Sequence, residues 1–296
     1  MPNHSRPFDL IILDLDGTIL DLYHADRISP AVQATVAAVQ AAGIPVTIGT
    51  GRTLDYIREH LTGQLDLQTP AITTQGAVIG NPATGQVLHE VAMPLGAARR
   101  AAAWIEQQRQ TAVFYFNEWD SETQAGRIRL YQNYFADDPA EMAFHAHVFG
   151  RPRIPLPSFL PKLDAPDAHP PLKFIIDNDM AHGVDLAPIL RDEFGDELYI
   201  TRTHPRLVEG TARGVDKGMG VRTLCALLGI EPGRVLAIGD NDNDIPMLEA
   251  VGFGVAMGNA TPGVRAVARW VAPSIEEDGA AVALQRLVLK GLHPER

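Results

Sequence analysis

The most constraining stretch of this chain is the run Phe8-Asp9-Leu10-Ile11-Ile12-Leu13, followed at once by Asp14-Leu15-Asp16-Gly17-Thr18. A short run dominated by large aliphatic residues reads as a strand buried on both faces, the kind found in parallel sheets. Ligands of open α/β sheets bind outside the carboxyl ends of such strands, and that is where these two carboxylates emerge. Gly17 permits the sharp turn that carries the chain away. If Leu15 points back into the fold, Asp14 and Asp16 face one cavity. Carboxylates that close repel unless a hard cation such as Mg²⁺ neutralises them or one is held protonated. Either arrangement suits chemistry, with one Asp as nucleophile and metal ligand and the other as proton donor and acceptor. Asp-Gly is also an ordinary turn dipeptide, so the rest of the chain has to decide.

Ser29-Pro30 next opens a helix, with a capping residue followed by a proline at the first position, and Gly43 closes it. Ile44–Gly49 reads as a second strand that delivers Thr50-Gly51-Arg52 to the same edge as the Asp pair. A helix near Thr53–Leu61 leads to a third strand, Ala71–Thr74, and to Gln75-Gly76. Strand, helix, strand, helix, strand at these spacings predicts a parallel sheet with crossover helices. The pattern then changes. A helix over Leu95–Arg109 and strands at Ala112–Phe116 and Leu172–Ile176 follow, then a helix over Val184–Phe194 and a strand pair around Leu198–Ile200 and Arg206–Val208. The proline-rich stretch Arg151–Pro171 reads as an irregular loop. The parallel pattern returns at Gly214: Asp216 caps a helix over Lys217–Leu228 that Gly229 stops. Val235–Ile238 is then a strand ending in Gly239-Asp240-Asn241-Asp242-Asn243-Asp244, and a short helix, a strand at Gly252–Met257 and two more helices complete the reading. The expected architecture is an α/β core from residues 1–82 and 210–296, with an α+β domain of residues 83–209 inserted between its halves.

The 296 residues carry a formal net charge of −11, which argues against broad binding to nucleic acid or anionic membrane. It leaves room for a phosphate substrate, because a local cation and one well-placed Lys can hold an anion on an acidic protein. The single cysteine, Cys225, excludes an intrachain disulfide and a thiolate metal cluster, and its apolar surroundings predict a packed core thiol. Met1–Pro7 is polar, without the apolar centre of a leader, and no apolar run approaches a membrane span. A cytoplasmic location is expected.

Four segments therefore converge on one sheet edge: Asp14 with Asp16, Thr50, Lys217, and Asp240 with Asp244. A Lys in the first turn of a helix opposes the helix dipole, which points to a local anion. With Thr50-Gly51-Arg52, Gly214-Val215-Asp216-Lys217-Gly218 and Gly239–Leu248, the Asp14–Thr18 segment resembles the four motifs of the haloacid dehalogenase-like (HAD) superfamily. Val255–Ala260 and Glu276–Gly279 resemble its Cof-type phosphatases in particular, which carry a large α/β cap between the second and third motifs. Gln75-Gly76 departs from the Asn-Gly usual at that turn, and since Asn accepts left-handed dihedrals better than Gln, a different turn is expected.

The resemblance implies a Rossmann-like core, Mg²⁺, and hydrolysis of a small phosphomonoester such as a sugar phosphate. Asp14 would attack phosphorus and form an aspartyl-phosphate, and Asp16 would act as acid and then base. The metal would lie between Asp14, the Asp16 backbone carbonyl and Asp240, with Asp244 acting through a metal-bound water or by orienting Lys217. Thr50, Gly51, Lys217 and Asn243 would hold the phosphoryl oxygens, and Arg52 would either touch substrate or, the favoured role, pair with a core carboxylate. A phosphotransferase or phosphomutase using the same intermediate is the alternative, and a non-catalytic binding module a more distant one. His145 and His147 read as ordinary residues rather than metal ligands, His204 as a hinge residue or substrate contact, Trp104 as core, and Tyr115 and Trp119 as pocket candidates from position alone.

Overall fold

The computed structural model describes residues 6–21, 27–120, 125–133, 153–178, 183–204 and 206–292. Strand β1 (Leu10–Leu13) is buried along its whole length, as a strand with neighbours on both edges and helices on both faces must be. Helix α1 (Pro30–Ala41) starts at its Ser29 cap, whose side chain accepts from the Val32 amide, and turns Val32, Thr35, Val36 and Val39 inward. It leads to β2 (Val46–Ile48), parallel to β1. Helix α2 (Leu54–His60) is capped by Thr53.

The third strand departs from the expected parallel pattern. β3 (Ala71–Thr73) touches the strand-end region of β2 through a single parallel bridge, Gly49 to Ile72, and then pairs antiparallel with β4 (Val78–Gly80). β5 (Val87–Glu90) extends that small sheet antiparallel to β4. The turn through Gln75-Gly76 reverses the chain too soon for a crossover helix, so the next strand pairs locally.

The chain divides into two compact units, residues 1–90 with 216–296, and residues 91–215. The expected boundaries, 82/83 and 209/210, lie before these because β5 pairs within the first unit and β11 within the second. In the second unit, α3 (Leu95–Gln107) precedes the long hairpin β6 (Ala112–Asp120) and β7 (Ala125–Gln132). The proline-rich stretch, expected to be irregular, holds β8 (Ile154–Pro155) and one helical turn, α4 (Leu160–Leu163). Then come β9 (Lys173–Asp177), α5 (Leu186–Phe194), β10 (Leu198–His204) and β11 (Leu207–Ala212). The sheet order is β10-β11-β9-β6-β7-β8, antiparallel except for the last pair. Phe114, Phe116, Phe174 and Val208 pack with the alanine stripe Ala97, Ala98, Ala101 and Ala102, and Trp104 joins that core in part, as expected.

The first unit resumes with α6 (Lys217–Leu228), β12 (Val235–Gly239), α7 (Ile245–Ala250), β13 (Phe253–Ala256), α8 (Pro262–Val267), β14 (Trp270–Val271) and α9 (Gly279–Ala283), which continues in a wider turn through Leu289. The α6 limits are those expected from sequence: the Asp216 side chain accepts from the Met219 amide, and Gly229 ends the helix at a φ of 67°. Cys225 is buried in the core, and burial pushes its thiol up to about 11. The parallel sheet runs β14-β13-β12-β1-β2. From β1 the chain moves outward to β2, whereas from β12 it moves the opposite way to β13 and β14. The reversal falls between β1 and β12, and a crevice opens beyond such a reversal. Asp14 follows β1 and Asp240 follows β12.

His145 and His147 lie outside the described residues, as does the side chain of Trp119. His204 is tied into a local turn, its Nδ1 accepting from the Arg206 amide. Tyr115 is buried with its ring 4.7 Å from the Lys173 Nζ. Among the described residues no helix is long and apolar enough to cross a membrane.

Candidate active site

The β1 ladder continues one residue past the strand: the Asp14 amide donates to the Ile238 carbonyl at 2.9 Å. This fixes the Asp14 backbone against β12 while its side chain enters the crevice. Gly17, at a φ of 85°, then turns the chain, and a Cβ there would overlap the Asp240 carboxylate. Glycine is needed both for the dihedral and for this close approach.

Lys217 is the hinge of the charge arrangement. It stands at the first position of α6 with its side chain only 1% exposed, and its Nζ donates to Asp14 Oδ1 and Asp244 Oδ1, each at 2.5 Å. The anion that its unfavourable place near a helix N-terminus called for is therefore a pair of carboxylates. Burial alone would push Lys217 down, but the facing charges of Asp14 and Asp244 overcome it and the net direction is upward. The ammonium is a fixed positive charge, not a proton donor near neutral pH.

Asp244 is completely buried, and its second oxygen accepts from the backbone amides of Asp240 and Asn241 at 2.9 and 3.1 Å. The short turn Asp242–Asp244 is thus closed by its own final carboxylate, which also orients Lys217. Asp240 accepts from the Thr18 hydroxyl at 3.0 Å. One oxygen from each of Asp14, Asp240 and Asp244 lies within 4.8 Å of the others. Burial first, then Asp244, raise Asp14 to about 7 against the pull of Lys217. Burial, Asp14 and Asp244 raise Asp240 well above the usual carboxylate range. Two buried carboxylates and a half-buried third lie around one ammonium, and that excess of negative charge is part of what pushes Asp14 and Asp240 upward. An oxygen-only donor set with that excess fits a hard divalent cation.

Asp16 stands apart from this cluster. Arg52 holds it in a fork, Nε to Oδ2 at 2.8 Å and Nη2 to Oδ1 at 2.6 Å, and stacks its own guanidinium 4.1 Å from the Tyr56 ring. Arg52 thereby pairs with a core carboxylate, and the geometry names which one. Thr50 is fully buried, with its hydroxyl oxygen accepting from the Arg52 amide at 3.1 Å and its hydroxyl proton left to donate. Asn243 is 8% exposed, and its Nδ2 donates to Gln75 Oε1 at 3.2 Å.

The turn expected to differ does adopt the left-handed region: Thr74, Gln75 and Gly76 have φ values of 53°, 61° and 94°. Gln therefore occupies a conformation it accepts poorly, with a β-branched residue beside it doing the same.

Sequence reasoning gave no role to Thr18 or Asn259. Asn259 donates to the Gly17 carbonyl at 2.8 Å, reaches Asp240 Oδ2 at 3.5 Å, and accepts from the Ile275 amide at 3.0 Å. It ties the first acidic loop to the segment around Glu276. The signal was in view, since Thr18 closes the Asp14–Thr18 motif and Asn259 sits within the late motif Val255–Ala260, but neither side chain is chemically reactive enough to be singled out alone.

The profile of the haloacid dehalogenase-like hydrolases matches residues 11–284. YxeH of Bacillus subtilis (strain 168) is 28% identical over 289 residues, covering 95% of this chain and 99% of that protein. YcsE of the same organism, named 5-amino-6-(5-phospho-D-ribitylamino)uracil phosphatase, is 28% identical over 283 residues, covering 95% and 96%. A solved haloacid dehalogenase-like hydrolase from B. subtilis shares the fold at a TM-score of 0.79 and 23% identity, over 95% of this chain and all of that one (100%). With acidic loops at the β1 and β12 ends, a bridging lysine from α6 and a profile match along nearly its whole length, the chain belongs to the haloacid dehalogenase-like hydrolase family, in its Cof-type branch.

Proposed function

We propose that this haloacid dehalogenase-like phosphatase hydrolyses small phosphomonoesters, of the sugar- or polyol-phosphate class, through an aspartyl-phosphate on Asp14. The observation that carries the reading is the Lys217 ammonium lodged between Asp14 and Asp244, beside a third carboxylate. A nucleophilic carboxylate must be ionised and held still; a buried ammonium at 2.5 Å favours the first against the cost of burial and secures the second. Asp14 offers the attacking oxygen. Lys217, the Thr50 hydroxyl, the Gly51 amide and the Asn243 carboxamide would supply the donors for the phosphoryl oxygens as charge gathers on them. Fixed donors in a site closed to water are the usual source of most of the rate enhancement.

Asp14, Asp240 and the Asp16 backbone carbonyl would hold Mg²⁺, with Asp244 behind them, and the ion would supply charge neutralisation at a phosphoryl oxygen. Asp16 serves as acid toward the leaving oxygen and base toward water. The Arg52 fork occupies lone pairs on both Asp16 oxygens, and the remaining lone pairs are the ones that can carry a proton. General acid–base help of this kind contributes about 10²–10⁴-fold, so positioning and charge carry the larger share. The substrate class finds support in the name of YcsE, whose substrate carries its phosphate on a ribityl chain.

Purified protein supplied with Mg²⁺ should release inorganic phosphate from p-nitrophenyl phosphate and from a panel of sugar and polyol phosphates. Asp14→Asn should reduce turnover by roughly 10⁴-fold or more, the scale seen when a nucleophile is removed. Rapid acid quench with radiolabelled substrate should trap label on the wild-type chain and none on Asp14→Asn. Label retained by the variant would overturn the mechanism, and an isomeric phosphate without release would turn the reading to a mutase.

A further inference from the structure

Gln75 lies where two loops of the site meet. Its amide donates to the Thr50 carbonyl at 3.1 Å, and its Oε1 accepts from Asn243 at 3.2 Å. A Cβ built on Gly51 would lie 2.6 Å from the Gln75 Nε2, so the carboxamide occupies the space that a side chain at Gly51 would need. Gln75 is 2% exposed. It holds this place from a backbone that costs energy: Thr74 and Gln75 both lie in the left-handed region, and the buried Thr74 hydroxyl has no hydrogen-bond partner. Each left-handed residue other than glycine costs roughly 1–2 kcal/mol, and strain of this kind persists only where surrounding contacts enforce it and gathers at functional sites.

Asn243 has two N–H donors and one acceptor. One N–H is spent on Gln75, and among the described residues its Oδ1 and second N–H have no other protein partner. The Gln75 bond therefore fixes the plane of the Asn243 carboxamide and decides where the second N–H points.

We propose that Gln75 is a positioning residue: its side-chain carbonyl sets the Asn243 carboxamide so that the remaining N–H meets a phosphoryl oxygen. The inference rests on the phosphatase reading above. It goes further in assigning Asn243 its orientation through Gln75, the residue that departs from the usual Asn at this turn. The strained turn is the means, because it turns the Gln75 side chain across Gly51 toward Asn243.

The test is a double-variant cycle read in two ways, as kcat/KM for p-nitrophenyl phosphate and as the affinity for inorganic phosphate in the presence of Mg²⁺. Gln75→Met keeps the side-chain length and removes the acceptor. Gln75→Gly also removes the acceptor but suits a φ of 61° without strain, so it folds even if the Met variant does not. Asn243→Ala should cost about three- to tenfold in the wild-type background, the range of one hydrogen bond, and almost nothing in either Gln75 background. Gln75→Gly should keep or raise the thermal midpoint while losing phosphate affinity, which a purely structural role would not produce. Equal Asn243→Ala losses in all backgrounds would overturn the inference, as would wild-type protein that binds no phosphate. Wild-type protein that binds phosphate but turns over no ester would refute the phosphatase reading and leave the cycle intact as a measure of Gln75.

Discussion

Each unit of the molecule buries a lysine against carboxylate, and the two lysines are put to different ends. In the second unit Lys173 on β9 donates to Glu209 on β11 at 2.8 Å, with both side chains at 5% exposure or less. Thr203 donates its hydroxyl to the other Glu209 oxygen at 2.7 Å, and the Tyr115 ring covers the ammonium. The ammonium and the carboxylate meet across neighbouring strands. In the first unit Lys217 answers two carboxylates and stands near a third. The ingredients are the same, but Lys173 and Glu209 meet as opposite charges, whereas the Lys217 cluster sets three carboxylates around one ammonium. A balanced buried pair costs about as much to desolvate as it returns and chiefly enforces register. A surplus that protein groups leave uncompensated awaits a ligand.

The sharpest way to break this comparison is to remove each lysine. Lys217→Met should abolish turnover and, without metal, leave the Asp14, Asp240 and Asp244 carboxylates with no cation between them; urea titration should show a loss of roughly 3–5 kcal/mol. Lys173→Met should cost a similar amount by taking the ammonium away from the buried Glu209 carboxylate, but Lys173→Met with Glu209→Leu should recover most of it. No such hydrophobic replacement should restore Lys217→Met to activity. If the Lys173→Met, Glu209→Leu pair stays as unstable as the single variant, that bridge is more than a balanced pair.

A pH titration sharpens the comparison with a smaller effect. Asp14 is raised to about 7 in the folded, metal-free protein, against an ordinary value near 4 when unfolded. The folded state then binds a proton more tightly than the unfolded state. The metal-free protein should gain stability as pH falls from about 7 toward 4, and lose it as pH rises through that window. Mg²⁺ competes with that proton, so its affinity measured by calorimetry should weaken below about pH 7. The same scan of Asp14→Asn should be flatter in both respects, and an unchanged slope would remove Asp14 as its source.

The smallest effect concerns the fork outside the cluster. Arg52→Lys replaces a bidentate, ring-stacked pair by a point charge. With side chains 15% and 29% exposed, the expected cost by thermal unfolding is within about 1 kcal/mol. Turnover should fall with it, because Arg52 is what orients the Asp16 carboxylate. Unchanged kcat would separate the fork from catalysis.

What could be read from the chain depended on how local its cause was. Helix α6 began and ended where Asp216 and Gly229 put it, because capping and a left-handed stop involve neighbours within one turn. Strand β1 was legible because its run of buried aliphatic residues is itself the signal. Strands β8 and β14 were missed, since a two-residue edge strand exists only through the partner it lies against. The antiparallel β3–β4 pairing was hidden for a related reason: it hinges on a turn whose left-handed Thr74 and Gln75 no propensity would favour.

The amino-acid order by itself determined the acidic loops after β1 and β12, the lysine at the head of α6 and a second unit lying between them along the chain, because strand periodicity and helix caps act over a few residues. Only the tertiary structure decided that Lys217 would bridge Asp14 to Asp244 across 203 and 27 residues of sequence. It also decided that Arg52 would take Asp16, and that Gln75 would reach Asn243. Those choices are made by the direction in which side chains leave packed strand ends, a property of the assembled sheet that no stretch of the chain carries alone.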